Sequence, residues 1–283
     1  ASRKLNAVYV PFAVERSSAA LHRGIQALGL AGLSVTIPHK AWAAKIADEA
    51  DPLSQYCGAA NTLVRDPDGG ELRAFNTDGP GAVRALKTVV PNLRGRRFLL
   101  LGDGGSATAI AHALLHDEKP AMLAVAGRNK RKIQAFVKQL QSVHGKSSAR
   151  VRAIDPPAAD ETYADLTPED VDIIIHTTPL GMSGYPGSEK ELPLPKSFVQ
   201  PDHTIFDIVY NPMRTPLLKH AASVGAQTIP GYLMLLYQAT LQFSLFTGQD
   251  APENLMDKEL LSALRRRSSR GQSLSRVPFL RSS

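Results

Sequence analysis

A chain of 283 residues with 43% hydrophobic side chains has enough material for two ordinary domains, each with its own core. It offers no apolar run long enough to cross a bilayer, no signal region behind the basic N-terminus, and one cysteine, Cys57, which excludes an internal disulfide framework and makes a reducing, cytoplasmic setting the expectation. Six of the seven excess positive charges are Arg265, Arg266, Arg267, Arg270, Arg276 and Arg281, so the body is near neutral and nucleic-acid binding through its charge is excluded.

In chain order, 6–15 reads as a strand, 19–28 as a helix and 32–37 as a strand closed by Pro38. Runs 59–65 and 71–75 flank the turn Pro67-Asp68-Gly69-Gly70 and read as a hairpin. A more regular rhythm follows, with strands at 97–101, 122–126, 150–154, 171–177, 204–209 and 227–229 and helices at 106–115 and 130–143. Apolar strands separated by helices imply a parallel sheet covered on both faces. Residues 232–246 are helical again, and 265–283, with no acidic residue and few apolar ones, is expected to be a basic disordered tail. The fold class is α/β with two domains. An α/β substrate domain takes 1–79 and is completed by helices in 231–264, and a doubly wound Rossmann domain takes 80–230.

The strand at 97–101 runs into Gly102-Asp103-Gly104-Gly105-Ser106-Ala107 and then a helix, the context in which G-x-G-x-x-A marks a dinucleotide site. Gly102 permits the tight turn, Gly104 lets backbone approach a pyrophosphate, and Ala107 lets the helix pack on the strand. Gly105 and Ser106 place free N–H groups of the helix start beside the phosphates. Asp103 would repel them unless its side chain points away. After the next strand, where an NAD site offers a carboxylate to the ribose, this chain has Arg128-Asn129-Lys130-Arg131. Arg128, Asn129 and Arg131 suit the 2′-phosphate of NADP, and cations at a helix start want an anionic reason.

Further motifs carry a family resemblance. Val35-Thr36-Ile37-Pro38-His39-Lys40, Gly58-Ala59-Ala60-Asn61-Thr62, Asn76-Thr77-Asp78, Thr178-Pro179-Leu180-Gly181-Met182, Asp207-Ile208-Val209-Tyr210-Asn211-Pro212 and Gly231-Tyr232-Leu233-Met234 through Gln238 occur in one order around the glycine loop. The chain resembles the shikimate dehydrogenase family over roughly residues 5–262. The resemblance implies that Lys40 and Asp78 form the catalytic pair and that Asn61 and Gln238 bond substrate hydroxyls. It implies that Thr36 holds the carboxylate end, that Tyr210 lines the cleft, and that Gly231 offers a carbonyl to the nicotinamide amide. Thr177 and Thr178 join the cofactor site. The reaction implied is NADPH-dependent reduction of 3-dehydroshikimate to shikimate, with no metal and no membrane or nucleic-acid partner. Hydride transfer to a ketone builds charge on oxygen, so a lysine held by a carboxylate suits the site as proton donor and cation.

Singly, each residue has a plainer reading, such as a solvated lysine or a capping turn in Asn-Thr-Asp. His39 reads as structural, and Cys57 as a packing residue. His112 and His116, four apart, could bind zinc, but no third ligand is evident and they read as exposed or half-buried helix residues. The family normally begins with a strand, a Ser-x-Ser motif that holds the substrate carboxylate, and a helix. Nothing in residues 1–8 matches them, so the chain is expected to be a fragment or the later part of a fusion with an upstream pathway enzyme. A quinate or dual quinate/shikimate dehydrogenase and a non-catalytic metabolite sensor of the same fold stay open as alternatives.

Overall fold

The strands divide between two sheets. A computed structural model describes residues 5–66, 68, 70–145, 150–155, 163–185 and 191–270. In it β1 (Gly32–Ser34), β2 (Glu49–Ala50), β3 (Thr62–Arg65) and β4 (Leu72–Phe75) form a mixed sheet in the order β1-β3-β4-β2. β3 and β4 are the expected antiparallel hairpin, with Thr62 opposite Phe75 and Arg65 opposite Leu72. The helices beside this sheet are α1 (Ala19–Ala27), α2 (Lys40–Ile46) and α3 (Pro52–Cys57). Asp51 starts α3 by accepting the Ser54 N–H at 2.7 Å, Pro52 occupies its first turn, and left-handed Gly58 ends it. The core here is small: Ala43, Ala60, Leu63 and Ala74, with Leu33, Val35 and Trp42 against them.

The second sheet contains β5 (Arg97–Leu101), β6 (Met122–Ala126), β7 (Arg150–Ile154), β8 (Ile173–His176), β9 (Thr204–Asp207) and β10 (Gln227–Pro230) in the order β10-β9-β8-β5-β6-β7. Every pairing in it is parallel. Alternate side chains of β5 feed separate cores: Phe98 and Leu100 join the face with Ile110 and Leu114, whereas Leu99 and Leu101 join the face with Phe198 and Leu217. Covering both faces is what made these strands continuous apolar runs in the sequence. Each fully buried side chain of this size contributes roughly 1.5–3 kcal/mol. α5 (Gly105–Ala113) and α6 (Lys130–His144) follow β5 and β6, and α7 (Pro216–Ser223) precedes β10. The architecture is two-domain α/β, with a Rossmann-like parallel sheet and an N-terminal mixed sheet.

Two helices tie the sheets together. α4 (Asp78–Lys87) leaves the mixed sheet, and α8 (Tyr232–Thr247) leaves β10 and crosses it. The crossing is tight: a Cβ on Gly81 would stand 2.8 Å from the backbone nitrogen of Gln238, and one on Gly79 would stand 2.6 Å from the Ala109 carbonyl of α5. Any larger residue would push the helices apart. Met234, Leu236 and Tyr237 of α8 and Ala82, Val83 and Leu86 of α4 share one core with Phe98.

Two expectations need correction. Residues 6–15 are not a strand: the segment has no ladder partner among the described residues, and Val8 and Phe12 are exposed. A strand needs a neighbour to take up its backbone groups, which no local pattern guarantees. The basic tail is not wholly unstructured either, because α9 (Glu253–Arg270) runs through Arg265 and on to Arg270. That helix is anchored earlier, by Met256, Leu260 and buried Leu264 and by the 2.5 Å pair Arg84–Glu253, and helix propagates readily from an anchored turn. Residues 271–283, the rest of that expected tail, lie outside the described residues.

Candidate active site

Lys40 is the first residue of α2 and Asp78 the first residue of α4, and the Lys40 Nζ donates to Asp78 Oδ2 at 2.5 Å. The other carboxylate oxygen, Oδ1, accepts from Asn61 Nδ2 at 2.9 Å. Asn61 is itself oriented without ambiguity. Its Oδ1 accepts the Thr77 backbone N–H at 2.8 Å and the Thr62 hydroxyl at 2.9 Å, so the amide nitrogen must face Asp78. The same nitrogen lies 3.4 Å from Gln238 Oε1, which brings α8 into the cluster. Asp78 also benefits from its place in the first turn of α4, where the helix dipole favours a carboxylate. The Lys40 and Asp78 side chains keep 20% and 10% of their surface, so the pair is sheltered yet reachable.

The structure thus brings together Lys40, Asp78, Asn61 and Gln238. Exposed Thr36 and half-buried Tyr210 make no hydrogen bond to that group among the described residues. His39 turns the other way: Nε2 donates to the Val14 carbonyl at 2.9 Å, leaving Nδ1 to accept from Ser17 Oγ at 2.7 Å. It pins the N-terminal segment to α2, a structural role. Cys57 lies beside the pair, and burial, with Asp51 and Asp78 adding repulsion, pushes its thiol up to about 12. A thiol so held is not a nucleophile.

Across the parallel sheet, at the C-terminal ends of β5, β6 and β8, lies a cleft of about 500 Å³. Gly102, Gly104, Arg128, Asn129, Thr177 and Thr178 line it. Gly102 has φ 120° and a Cβ there would stand 2.5 Å from Thr177 Oγ1, so only glycine fits. Gly104 and Gly105 differ: a Cβ on either would meet nothing within 4 Å, which leaves open space at the start of α5 for a ligand to approach backbone N–H groups. Ser106 is half-buried and Ala107 fully buried under α5. Arg131 lies away from the cleft proper, in a shallow basic depression with Arg128 and Lys132. Gly231 is buried against the Ile208 carbonyl at the start of α8. Asp103 is exposed at the cleft wall. These residues fit a dinucleotide: a glycine turn, open helix N–H groups and a cationic end.

The sequence reading missed several lining groups, among them Tyr163 and Leu192. It also missed Gln242, one turn beyond Gln238 on α8. Buried Gln242 accepts from Ser34 Oγ at 2.7 Å and donates to the Asn61 carbonyl at 3.2 Å and to Thr62 Oγ1 at 3.0 Å, locking α8 to β1 and β3. A glutamine in an otherwise apolar helical stretch was the available signal. His112 needs correction as well. His112 is fully buried, with Nδ1 2.8 Å from His144 Nε2, and burial first, then His144, lowers its pKa to about 4. His116 is exposed, in a π-helical turn, Leu114–Glu118, with Nδ1 2.6 Å from Asp117 Oδ1, and the rings of both His112 and His116 lie against Tyr56. Among the described residues no group of three or more His, Cys, Asp or Glu is arranged to hold a metal, and no helix is long and apolar enough to cross a membrane.

Known proteins are similar to this chain in sequence and fold. The family model for the shikimate dehydrogenase substrate binding domain matches residues 1–63, and that for the shikimate 5'-dehydrogenase C-terminal domain matches 231–261. A shikimate dehydrogenase (NADP(+)) from Leptospira interrogans (serogroup Icterohaemorrhagiae, serovar Lai) is 40% identical over 264 residues, covering 92% of this chain and 86% of its own. Among solved structures, a shikimate dehydrogenase in complex with NADP+ superposes with a TM-score of 0.76 at 32% identity, covering 87% of this chain and 80% of its own. The quinate dehydrogenase of Corynebacterium glutamicum in complex with NAD reaches 0.75 at 30% identity, covering 88% and 83%. Identity at this level over nearly the whole chain, in a molecule that carries both a lysine–aspartate pair and a glycine-loop cleft, means that the chain belongs to the shikimate dehydrogenase family.

Proposed function

We propose that this chain is an NADP(H)-dependent dehydrogenase that interconverts 3-dehydroshikimate and shikimate. The observation that carries the reading is the convergence of Lys40, Asn61 and Gln238 on the Asp78 carboxylate and its surroundings. When bound, NADPH supplies the hydride. Gly104, Gly105 and the start of α5 would hold the pyrophosphate, Arg128 and Asn129 the 2′-phosphate end, and Thr177 and Thr178 would form the wall beside the nicotinamide half. Lys40 delivers a proton to the oxygen on which charge develops, and its ammonium stabilises that charge as it forms. Asp78 keeps Lys40 aimed and accepts from a substrate hydroxyl. Asn61 and Gln238 present amide groups to the remaining hydroxyls, so a substrate lacking them leaves buried polar groups unpaired. Because Lys40 keeps some exposure, it regains its proton from solvent.

A second reading, a quinate or dual-specificity dehydrogenase, is favoured by the near-equal likeness to the NAD-bound quinate dehydrogenase. The two separate in one assay: appearance of reduced nicotinamide with shikimate or quinate, each with NADP+ or NAD+. Turnover with shikimate and NADP+ far above the other combinations supports the first reading. Preference for quinate supports the second. Binding of NADPH with no turnover of either would overturn both in favour of a sensor.

A further inference from the structure

β8 reads Ile173-Ile174-Ile175-His176, and His176 is as fully buried as the three isoleucines before it. A buried imidazole is costly unless each nitrogen is satisfied. Both are. Nδ1 faces Asp207 Oδ1 at 3.0 Å, and Nε2 faces Thr178 Oγ1 at 2.5 Å. Asp207, also fully buried, takes the Thr215 hydroxyl at 2.6 Å on Oδ2 and the Val209 N–H at 3.0 Å on Oδ1. A carboxylate only accepts, so Nδ1 carries a proton, and in the neutral imidazole Nε2 accepts from the Thr178 hydroxyl. Thr178 Oγ1 in turn receives the Leu180 N–H at 3.4 Å. The chain of bonds therefore starts at Thr215, the N-cap of α7, and ends on the turn whose residues Thr177, Thr178, Pro179 and Leu180 line the cofactor cleft.

We infer that His176 is a positioning residue for the dinucleotide: held by Asp207 and Thr215, it fixes the Thr178 hydroxyl and with it the cleft wall at 177–180, and so sets cofactor affinity while leaving substrate affinity alone. This rests on the NADP(H) reading above. The residue cannot touch the ligand, being enclosed on the inner side of the wall. Asp207 alone could not reach Thr178 in this geometry, since the imidazole spans the gap between them.

The test uses the full chain with His176→Leu, His176→Gln, Thr178→Val and the double variant His176→Leu/Thr178→Val. NADPH affinity is read directly from cofactor fluorescence, and thermal unfolding without ligand is read alongside. We expect His176→Leu and Thr178→Val each to weaken NADPH binding about tenfold, the loss of one hydrogen-bonded contact. We expect KM for shikimate to stay within about twofold, the double variant to be little worse than either single one, and His176→Gln to recover part of the affinity. NADPH affinity unchanged in both single variants, additive losses in the double variant, or equal losses for cofactor and substrate would overturn the proposal. If His176→Leu does not fold, His176→Gln takes its place in the comparison with Thr178→Val, and unchanged NADPH affinity in it overturns the proposal. Failure of the unmodified chain to bind NADPH would instead overturn the functional reading on which the proposal rests.

Discussion

Lys40 Nζ lies 2.5 Å from Asp78 Oδ2, and each residue is the first of its helix. The helix start suits Asp78 but opposes the charge on Lys40, so the carboxylate is what makes the lysine's position tenable. Replacing Lys40 with alanine should lower kcat by about 10²–10⁴, the usual worth of a positioned proton donor. NADPH affinity should be unchanged, because the cofactor cleft lies at the other sheet. Initial rates with shikimate and NADP+ check this, and a variant that keeps most of its turnover removes Lys40 from the chemistry.

Arg128 is exposed at the mouth of the cleft, directly after β6. Arg128→Ala should raise KM for NADP+ by about tenfold, the worth of one charge-assisted contact, and leave KM for NAD+ nearly unchanged. The measurement is the ratio of the two KM values. An unaltered ratio places the 2′-phosphate elsewhere.

Gly102 combines a positive φ with a neighbour at 2.5 Å from where a Cβ would be. Gly102→Ala should cost about 1–3 kcal/mol of stability through backbone strain and displacement of Thr177, and weaken NADPH binding as well. Gly104→Ala, where nothing would be touched within 4 Å, should spare stability and weaken only binding. Urea midpoints and NADPH titrations of the two variants distinguish these patterns.

His112 is held near 4 by burial and by His144, against the ordinary 6.5. The unfolded chain therefore binds more protons than the folded one between these values, and stability falls as pH drops through that window. It is fully retained above the unfolded value, and the loss by the bottom of the window is about 3 kcal/mol from this residue. Urea midpoints at several pH values, with His112→Leu as the comparison, provide the check. The variant should show a flatter slope, and an unchanged slope would assign the acid sensitivity to other groups.

The parallel sheet was legible because strands covered on two faces leave uninterrupted apolar runs, and the glycine turn was legible because strand and helix flank it. Lys40, Asp78, Asn61 and Gln238 were named from their motifs, and the structure gathers them into one cluster. Helix α4 was not legible. Gly79-Pro80-Gly81 reads as a break, yet the proline falls in the first turn, where it is tolerated, and the glycines serve close helix contact. The extended reading of 6–15 failed for the opposite reason: its local pattern is strand-like, but pairing depends on a neighbour that no window of sequence contains. Gln242 and His176 were missed because an isolated polar residue in an apolar run has no spacing to match. Only the locations of Ser34 and Asn61, or of Asp207 and Thr178, give them meaning.

Helix α8 follows Gly231, beside the end of β9, and within its 16 residues reaches Gln238 and Gln242 on the mixed sheet. At 1.5 Å per residue it is a rod of about 24 Å. On the proposed reading it works as a ruler: the glycine-loop end and the Gln238 cluster are spaced along one stiff element instead of across a soft boundary.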